Sequence, residues 1–378
     1  MDSKIKIAVL GCGNRSYYVV NNLLMDSNRE VEVVSAYDPD QSELERALEH
    51  WNAPDACRAK TAEEAINFPG VTWVMVFSPN VFHKEQILSA FAAGKHVFTE
   101  KPLATTIDDC LEIYQAWKES DVLFATGFVL RYGQIYRKAK ELLDSGRFGK
   151  LLAIEGNEHI APAHGAYIMR NWRRYTKLSG PHILEKCCHD LDLINWFCNS
   201  LPSKVASFGG KSYFTKENAD LEQKYGAENF YTWRDPKASG SAFGNDSDLM
   251  DTQVSVAEYR NNIRVSFTST MGSVIPERRM FFLCTEGTII LELLHRRIEC
   301  KAMGDDAVSV YEFLKADAHA GGDSLIMKEL FDTMKNGTLP KCSGSEGLES
   351  AVFALALDQA ATENKIVDLE PVWNKLNR

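Results

Sequence analysis

The sequence has no apolar run near the ~20 residues that a membrane-spanning helix requires and no basic tract among its 378 residues. Its start, MDSKIKIAVL, lacks the basic segment, apolar middle and small-residue cleavage site of a secretory leader, so export is not expected. There is no Cys-x-x-Cys pair: the nine cysteines are odd in number and scattered, which excludes a disulfide framework and points to a reduced, cytoplasmic chain. A formal net charge of −10 offers little attraction to nucleic acid or an anionic membrane surface, so a neutral small molecule is the natural partner. Internal repeats and low-complexity tracts are also missing.

What is there is an ordinary globular composition, 45% hydrophobic and 25% charged, at a length that calls for two domains. From Lys4 to about Leu130, short β-branched runs (Ile5 to Leu10, Val31 to Tyr37, Val71 to Phe77, His96 to Thr99, Leu123 to Thr126) alternate with helical stretches. Those stretches, Arg15 to Met25, Gln41 to Trp51, Phe82 to Ala93 and Thr106 to Glu119, carry apolar residues at three and four spacing. This is the pattern of βαβ units, and it predicts a doubly wound parallel sheet of five strands over residues 1–130. Ligands of such sheets sit beyond the carboxyl ends of the strands, where the strand order reverses.

After a helix at Gln134 to Leu143 the period changes to two. Leu152, Ile154 and Gly156 oppose Ala153, Glu155 and Asn157, and Val254 and Val256 lead through Arg260-Asn261-Asn262 into Ile263, Val265 and Phe267. Another hairpin is expected at Glu286-Gly287. With helices at Cys188 to Cys198, Ser324 to Lys335 and Gly347 to Asn364, residues 131–378 read as an α+β domain on an open, mostly antiparallel sheet. Residues 214–250, rich in Gly, Ser, Asn, Asp and Lys without a clear period, read as an insertion loop.

Gly11-Cys12-Gly13-Asn14-Arg15-Ser16 follows the first strand and opens a helix. The first glycine permits a tight turn, and the second lets backbone approach a pyrophosphate seated on the helix N-terminus. Ser16 stands where the usual fingerprint has a third glycine. Asp38 ends the second strand, where a carboxylate accepts hydrogen bonds from ribose hydroxyls and repels a 2′-phosphate; with no Arg or Lys between Tyr37 and Ser42, NAD is favoured over NADP.

Two further strings, Ser78-Pro79-Asn80-Val81-Phe82-His83 and Glu100-Lys101-Pro102-Leu103, each follow a strand. With the Gly-x-Gly-x-Arg turn, Trp172-Arg173 and His189-Asp190-Leu191-Asp192, they resemble the glucose-fructose oxidoreductase and inositol dehydrogenase family (Gfo/Idh/MocA) over nearly the whole chain. The resemblance implies a dinucleotide-binding domain followed by an open-sheet domain used for homodimer or homotetramer contacts. It also implies hydride transfer between nicotinamide and a secondary alcohol carbon of a sugar, glycoside or cyclic polyol. Gly11, Gly13, Asn14, Arg15, Asp38, Ser78, Pro79, Asn80, His83, Glu100, Lys101, Trp172 and Arg173 are then the cofactor-binding residues.

Oxidising a hydroxyl requires a base within hydrogen-bond reach and a cation for the developing alkoxide. Lys101, at a strand's carboxyl end, and His189, in the position of the family's catalytic His, fill these roles. In Gly180-Pro181-His182-Ile183-Leu184-Glu185-Lys186-Cys187-Cys188-His189, a helix from Ile183 would set Glu185 and His189 on one face, with Lys186 about 100° away. Inositol dehydrogenases carry Asp where this chain has Glu185, which leaves it to orient the imidazole or hold substrate. His182, Glu185, Cys188 and His189 are competent metal ligands, but their spacing fits no strong zinc pattern and no metal is expected. Arg131, His164, Tyr167 and His319 are candidate substrate residues. The same resemblance also admits an NAD-dependent glycosidase, working by transient oxidation and elimination, and a non-catalytic sugar-sensing regulator.

Overall fold

A computed structural model describes residues 4–231, 238, 240–314 and 319–378. Through the first half the elements are β1 Ile5–Leu10, α1 Asn14–Asp26, β2 Val31–Tyr37, α2 Gln41–His50, β3 Cys57–Arg58, α3 Ala62–Ile66, β4 Trp73–Val76, α4 His83–Ala92, β5 His96–Thr99, α5 Ile107–Lys118 and β6 Phe124–Thr126. There follow α6 Gln134–Asp144, β7 Leu151–His159, α7 Pro162–Arg170, α8 Thr176–Ser179, α9 His182–Glu185, α10 Cys188–Cys198, β8 Pro202–Gly210 and α11 Leu221–Tyr225. The rest are β9 Thr252–Tyr259, β10 Arg264–Thr270, β11 Glu277–Cys284, β12 Gly287–Glu292, β13 Arg297–Ala302, β14 Ser309–Glu312, α12 Gly322–Asn336, α13 Gly344–Glu363, β15 Val367–Asp368 and α14 Glu370–Lys375. Two compact units result: 4–132 with 319–351, and 133–314 with 352–378.

The first unit is a six-stranded parallel sheet in the order β3-β2-β1-β4-β5-β6. The expected five strands become six because β3 is only two residues long, pairing with Ser35 and Ala36, too short for any period to register. The central strands are buried throughout: Ile7 to Leu10 and Trp73 to Val76 are at most 1% exposed, as covering on both faces requires. The carboxyl ends of β1 and β4 diverge where the order reverses, which fixes the ligand crevice.

Three crossover helices cap their own first turns. Asp40, Thr61 and Thr106 accept from the backbone N–H of Ser42, Glu64 and Asp109. α1 differs: it starts at Gly13 with no side-chain cap and no acidic residue in its first turn. Its N–H groups and positive dipole end are left for an external anion.

The second unit carries a nine-stranded mixed sheet, β14-β13-β12-β11-β7-β10-β9-β8-β15, antiparallel except for the β7–β10 pair. Both expected hairpins are present, β9–β10 turning through Asn262 at φ 69° and β11–β12 pairing Cys284 with Gly287. The inner face takes Ile154, Val265, Phe267, Met280, Phe282 and Ile289. On the outer face Phe208 is 74% exposed, Val256 51% and Val254 49%.

Two expectations are corrected. The helix from Ile183 is not continuous: α9 ends at Glu185, Lys186–Cys187 form a turn, and α10 begins at Cys188, so helical spacing does not relate Glu185 to His189. Residues 214–250 are not a bare loop where described: Phe214, Phe230, Ala242, Phe243 and Leu249 pack with Ile160, Ala166, Met169 and Met271 in a satellite core. Residues 232–237 and 239 of that stretch lie outside the described residues. Asp251 anchors its base, accepting from the backbone N–H of Ser212, Tyr213 and Phe214 at 2.8–2.9 Å. Among the described residues no helix is long and apolar enough to cross a membrane.

Candidate active site

In the first unit the glycine turn is shaped by close approach. Gly11 sits at φ +87°, and a Cβ there would come within 2.5 Å of the Ser78 backbone nitrogen. Only glycine fits between these two strand-end loops. At Gly13 a Cβ would meet nothing within 4 Å, which leaves open space over the uncapped start of α1. Asp38 accepts from the N–H of Cys12 at 2.7 Å and of Asp40 at 2.8 Å, so its carboxylate is fixed beside the same turn. An anion-receiving helix end, an open cradle and an adjacent carboxylate suit a dinucleotide's pyrophosphate and ribose. Asn14 is the first residue of α1, and Ser78, Pro79 and Asn80 form the facing loop.

His83 and Arg15 do structural work in this frame. The buried His83 ring lies with Nδ1 2.8 Å from the Pro102 carbonyl and Nε2 3.0 Å from that of Ser78, so it braces the two loops against each other. Burial lowers its pKa against the pull of these two carbonyls. Arg15 bonds Glu100 through Nε at 2.6 Å and pairs with Asp323 through Nη1 at 2.8 Å. Asp323 in turn accepts a hydrogen bond from His319 Nδ1 at 2.7 Å. Burial works against the Asp323 carboxylate, but His319 and Arg15 outweigh it and hold the carboxyl at about 2. The backbone N–H of Lys101 donates to Glu100 at 3.2 Å, and the Lys101–Pro102 peptide is cis. Gly127 makes room for Glu100, since a Cβ there would press to 2.9 Å of its Oε2. Arg131 also belongs to this unit, 3.9 Å from Glu346.

In the second unit Arg173 is the hub. Its guanidinium lies 4.4 Å over the Trp172 ring, pairs with Glu185 at 2.9 Å and reaches the Tyr167 hydroxyl at 3.4 Å. Asn171 fixes the turn by accepting from the Arg173 N–H at 2.8 Å. Glu185 and His189 are both buried, and His164 is half-buried; burial, with Lys186 adding to it, lowers the His164 imidazole to about 3.

Behind them lies a charge network that sequence reasoning missed. Arg278 of β11 grips Asp190 through two bonds of 2.8 and 2.7 Å and stands 3.4 Å from Glu158 of β7, which also faces Lys186 at 3.4 Å. Burial alone would raise the Glu158 carboxyl, yet Arg278 and Lys186 hold it at about 2. A signal was available: Glu158 shares inward parity with Ile154 and Gly156, and Arg278 with Met280 and Phe282, which places charges among apolar positions. Asp323 carried no comparable pattern.

The chain matches two family models, an oxidoreductase family NAD-binding Rossmann fold over residues 5–128 and the same family's C-terminal alpha/beta domain over residues 140–369. It belongs to the Gfo/Idh/MocA oxidoreductase family. Among curated relatives, scyllo-inositol 2-dehydrogenase (NAD(+)) of Bacillus subtilis (strain 168) is 26% identical over 72% of this chain and 74% of its own length. A 2,7-anhydro-N-acetylneuraminate hydratase of Escherichia coli (strain K12) is 27% identical over 54% of this chain and 53% of its own. The structure of a levoglucosan dehydrogenase in complex with NADH and levoglucosan superposes with a TM-score of 0.79 at 16% identity, covering 97% of this chain and all of that one. The fold expected from the sequence is thus shared along the chain's length, and the chain is an NAD-binding enzyme of this family.

Asp38 yields a specific expectation. In Asp38→Ser, NAD affinity falls about tenfold with the loss of a charged acceptor, while NADP binding improves because the 2′-phosphate no longer meets a carboxylate. Fluorescence titration with NADH and NADPH measures both, and an unchanged preference would remove Asp38 from the ribose site.

Proposed function

We propose that the protein oxidises a secondary alcohol carbon of a sugar, glycoside or cyclic polyol, reversibly, with NAD. The observation that carries this reading is Lys101 at the carboxyl end of β5, its loop held by Glu100, Arg15 and His83, in a chain related to a scyllo-inositol 2-dehydrogenase. Gly11, Gly13 and the α1 N-terminus take the pyrophosphate, and Asp38 the ribose. When bound, the nicotinamide supplies the hydride acceptor. His189 takes the hydroxyl proton, and the Lys101 ammonium stabilises the alkoxide as hydride leaves. Glu185, tied to Arg173, offers a fixed carboxylate that orients the substrate or the His189 ring, and Arg131, His164, Tyr167 and His319 shape the pocket.

The test is NADH formation from NAD+ with a panel of inositols, glucose, levoglucosan and glycosides; no NADH with any of them sinks the reading. The hydratase among the relatives favours one second reading, transient oxidation followed by elimination and reduction. In that case NAD recycles, no NADH accumulates, and the bond-cleaved or hydrated product appears.

The outer face of the second unit's sheet, with Phe208, Val254 and Val256 exposed, is proposed as the surface of a homodimer or homotetramer in a reducing, cytoplasmic setting. Phe208→Glu is expected to lower the mass measured by light scattering to that of a smaller assembly; an unchanged mass refutes the assignment.

A further inference from the structure

The Glu158 cluster holds more hydrogen-bonding capacity than the protein uses. Among the described residues the Lys186 ammonium is held by one ion pair alone, 3.4 Å from Oε1 of Glu158, and its side chain is 21% exposed. Oε2 of Glu158 is buried with no hydrogen-bond partner among the described residues. His182 is 4% exposed, and neither of its ring nitrogens has a partner among them. Buried polar atoms in native folds are nearly always satisfied, so each exception calls for an explanation, of which a bound group is one. These three groups lie within reach of one another's charge, with His164 and Glu185 close by.

Charge counting shows what kind of ligand fits. Three cations are each paired with a carboxylate here, Arg173 with Glu185, Arg278 with Asp190, and Lys186 with Glu158, and a fourth carboxylate, Asp251, also acts on His182. The imidazoles add nothing, since burial lowers His182 to about 4 and His164 to about 3, so both are neutral near pH 7. Among the described residues of this cluster no cation is left over for an anionic group, whereas donors and acceptors are. A hydroxyl can accept from an ammonium and donate to a carboxylate at once, and a neutral imidazole can give or take one bond with its neighbour.

We propose that Lys186, His182 and Oε2 of Glu158 hold a vicinal diol of the substrate away from the reacting carbon, and so select neutral polyols over sugars carrying a carboxylate. One hydroxyl bridges Lys186 and Glu158, and the adjacent one meets His182. This assignment rests on the polyol reading above and adds to it the substrate's charge class.

The experiment titrates the NADH-loaded full chain calorimetrically with scyllo-inositol, levoglucosan, glucose and glucuronate, alongside Lys186→Met and His182→Asn. Wild type is expected to bind at least one neutral polyol and to bind glucuronate more weakly than glucose. Lys186→Met should weaken polyol binding about tenfold or more, as loss of a charged hydrogen bond does, with NADH affinity unchanged. Equal binding of glucuronate and glucose, polyol affinity unaltered in both variants, or no polyol binding at all overturns the proposal. Turnover is read separately: polyol binding that depends on Lys186 without NADH formation from NAD+ keeps the subsite and defeats the oxidoreductase reading.

Discussion

Lys101→Met is expected to lower turnover about 10²–10³-fold, the range for removing a group that meets charge developing in the transition state, with a much smaller effect on NADH affinity. The split follows from the placement. In the proposed mechanism the pyrophosphate charge is met by the α1 N-terminus and the ribose hydroxyls by Asp38, while the Lys101 ammonium acts chiefly where the alkoxide forms. Its loop does not depend on the ammonium: Glu100 takes the backbone N–H of Lys101, and His83 binds the Pro102 carbonyl. His189→Asn should cost a similar factor. If base and cation act on one proton and one oxygen as proposed, the double variant should lose little more than either single one. Stopped-flow NADH formation and NADH fluorescence titration measure the two quantities independently. A Lys101→Met enzyme with normal turnover would remove the residue from the chemistry.

The dinucleotide half of this site was legible in the sequence because its signals are local. A strand, a glycine turn and a helix start occupy a dozen residues around Gly11, and the structure places Gly13, Asp38 and Ser78 at matching strand ends. The elements that escaped depend on contacts far apart in sequence or on too few residues. β3 has two residues. The break at Lys186–Cys187 is marked by neither glycine nor proline. Arg15 reads as a cofactor-binding residue in the glycine turn, and its ion pairs with Glu100 and with Asp323, from near the other end of the chain, are not visible locally. The described part of residues 214–250 lacks a period because its apolar residues serve short turns around Phe214 and Phe243, not a strand or a long helix.

Arg278→Met is expected to destabilise the second unit by about 3–5 kcal/mol, the cost of leaving buried carboxylates without their partner. Asp190 is 0% exposed and Glu158 3%, so neither can recover its lost bonds from water. Chemical denaturation at pH 7 measures this, and a loss under about 1 kcal/mol would show that the pair is not what holds β7, β11 and α10 together. The same cluster sets the acid behaviour of the wild type. His182 and His164 are lowered to about 4 and 3 from 6.5, so below pH 6.5 the unfolded chain takes up protons that the folded one refuses. The contribution of these two imidazoles is therefore complete above pH 6.5 and falls toward pH 4, with a limiting slope of about 1.4 kcal/mol per pH unit each, opposed by Asp190, whose carboxyl burial raises. Glu158, held at about 2 against an ordinary 4.5, contributes fully above pH 4.5 and is lost as pH falls through 2. His182→Asn should flatten the first of these slopes and leave the second in place. Because the refused proton belongs to a ring with both nitrogens open, a bound polyol that occupies His182 should flatten the slope as well.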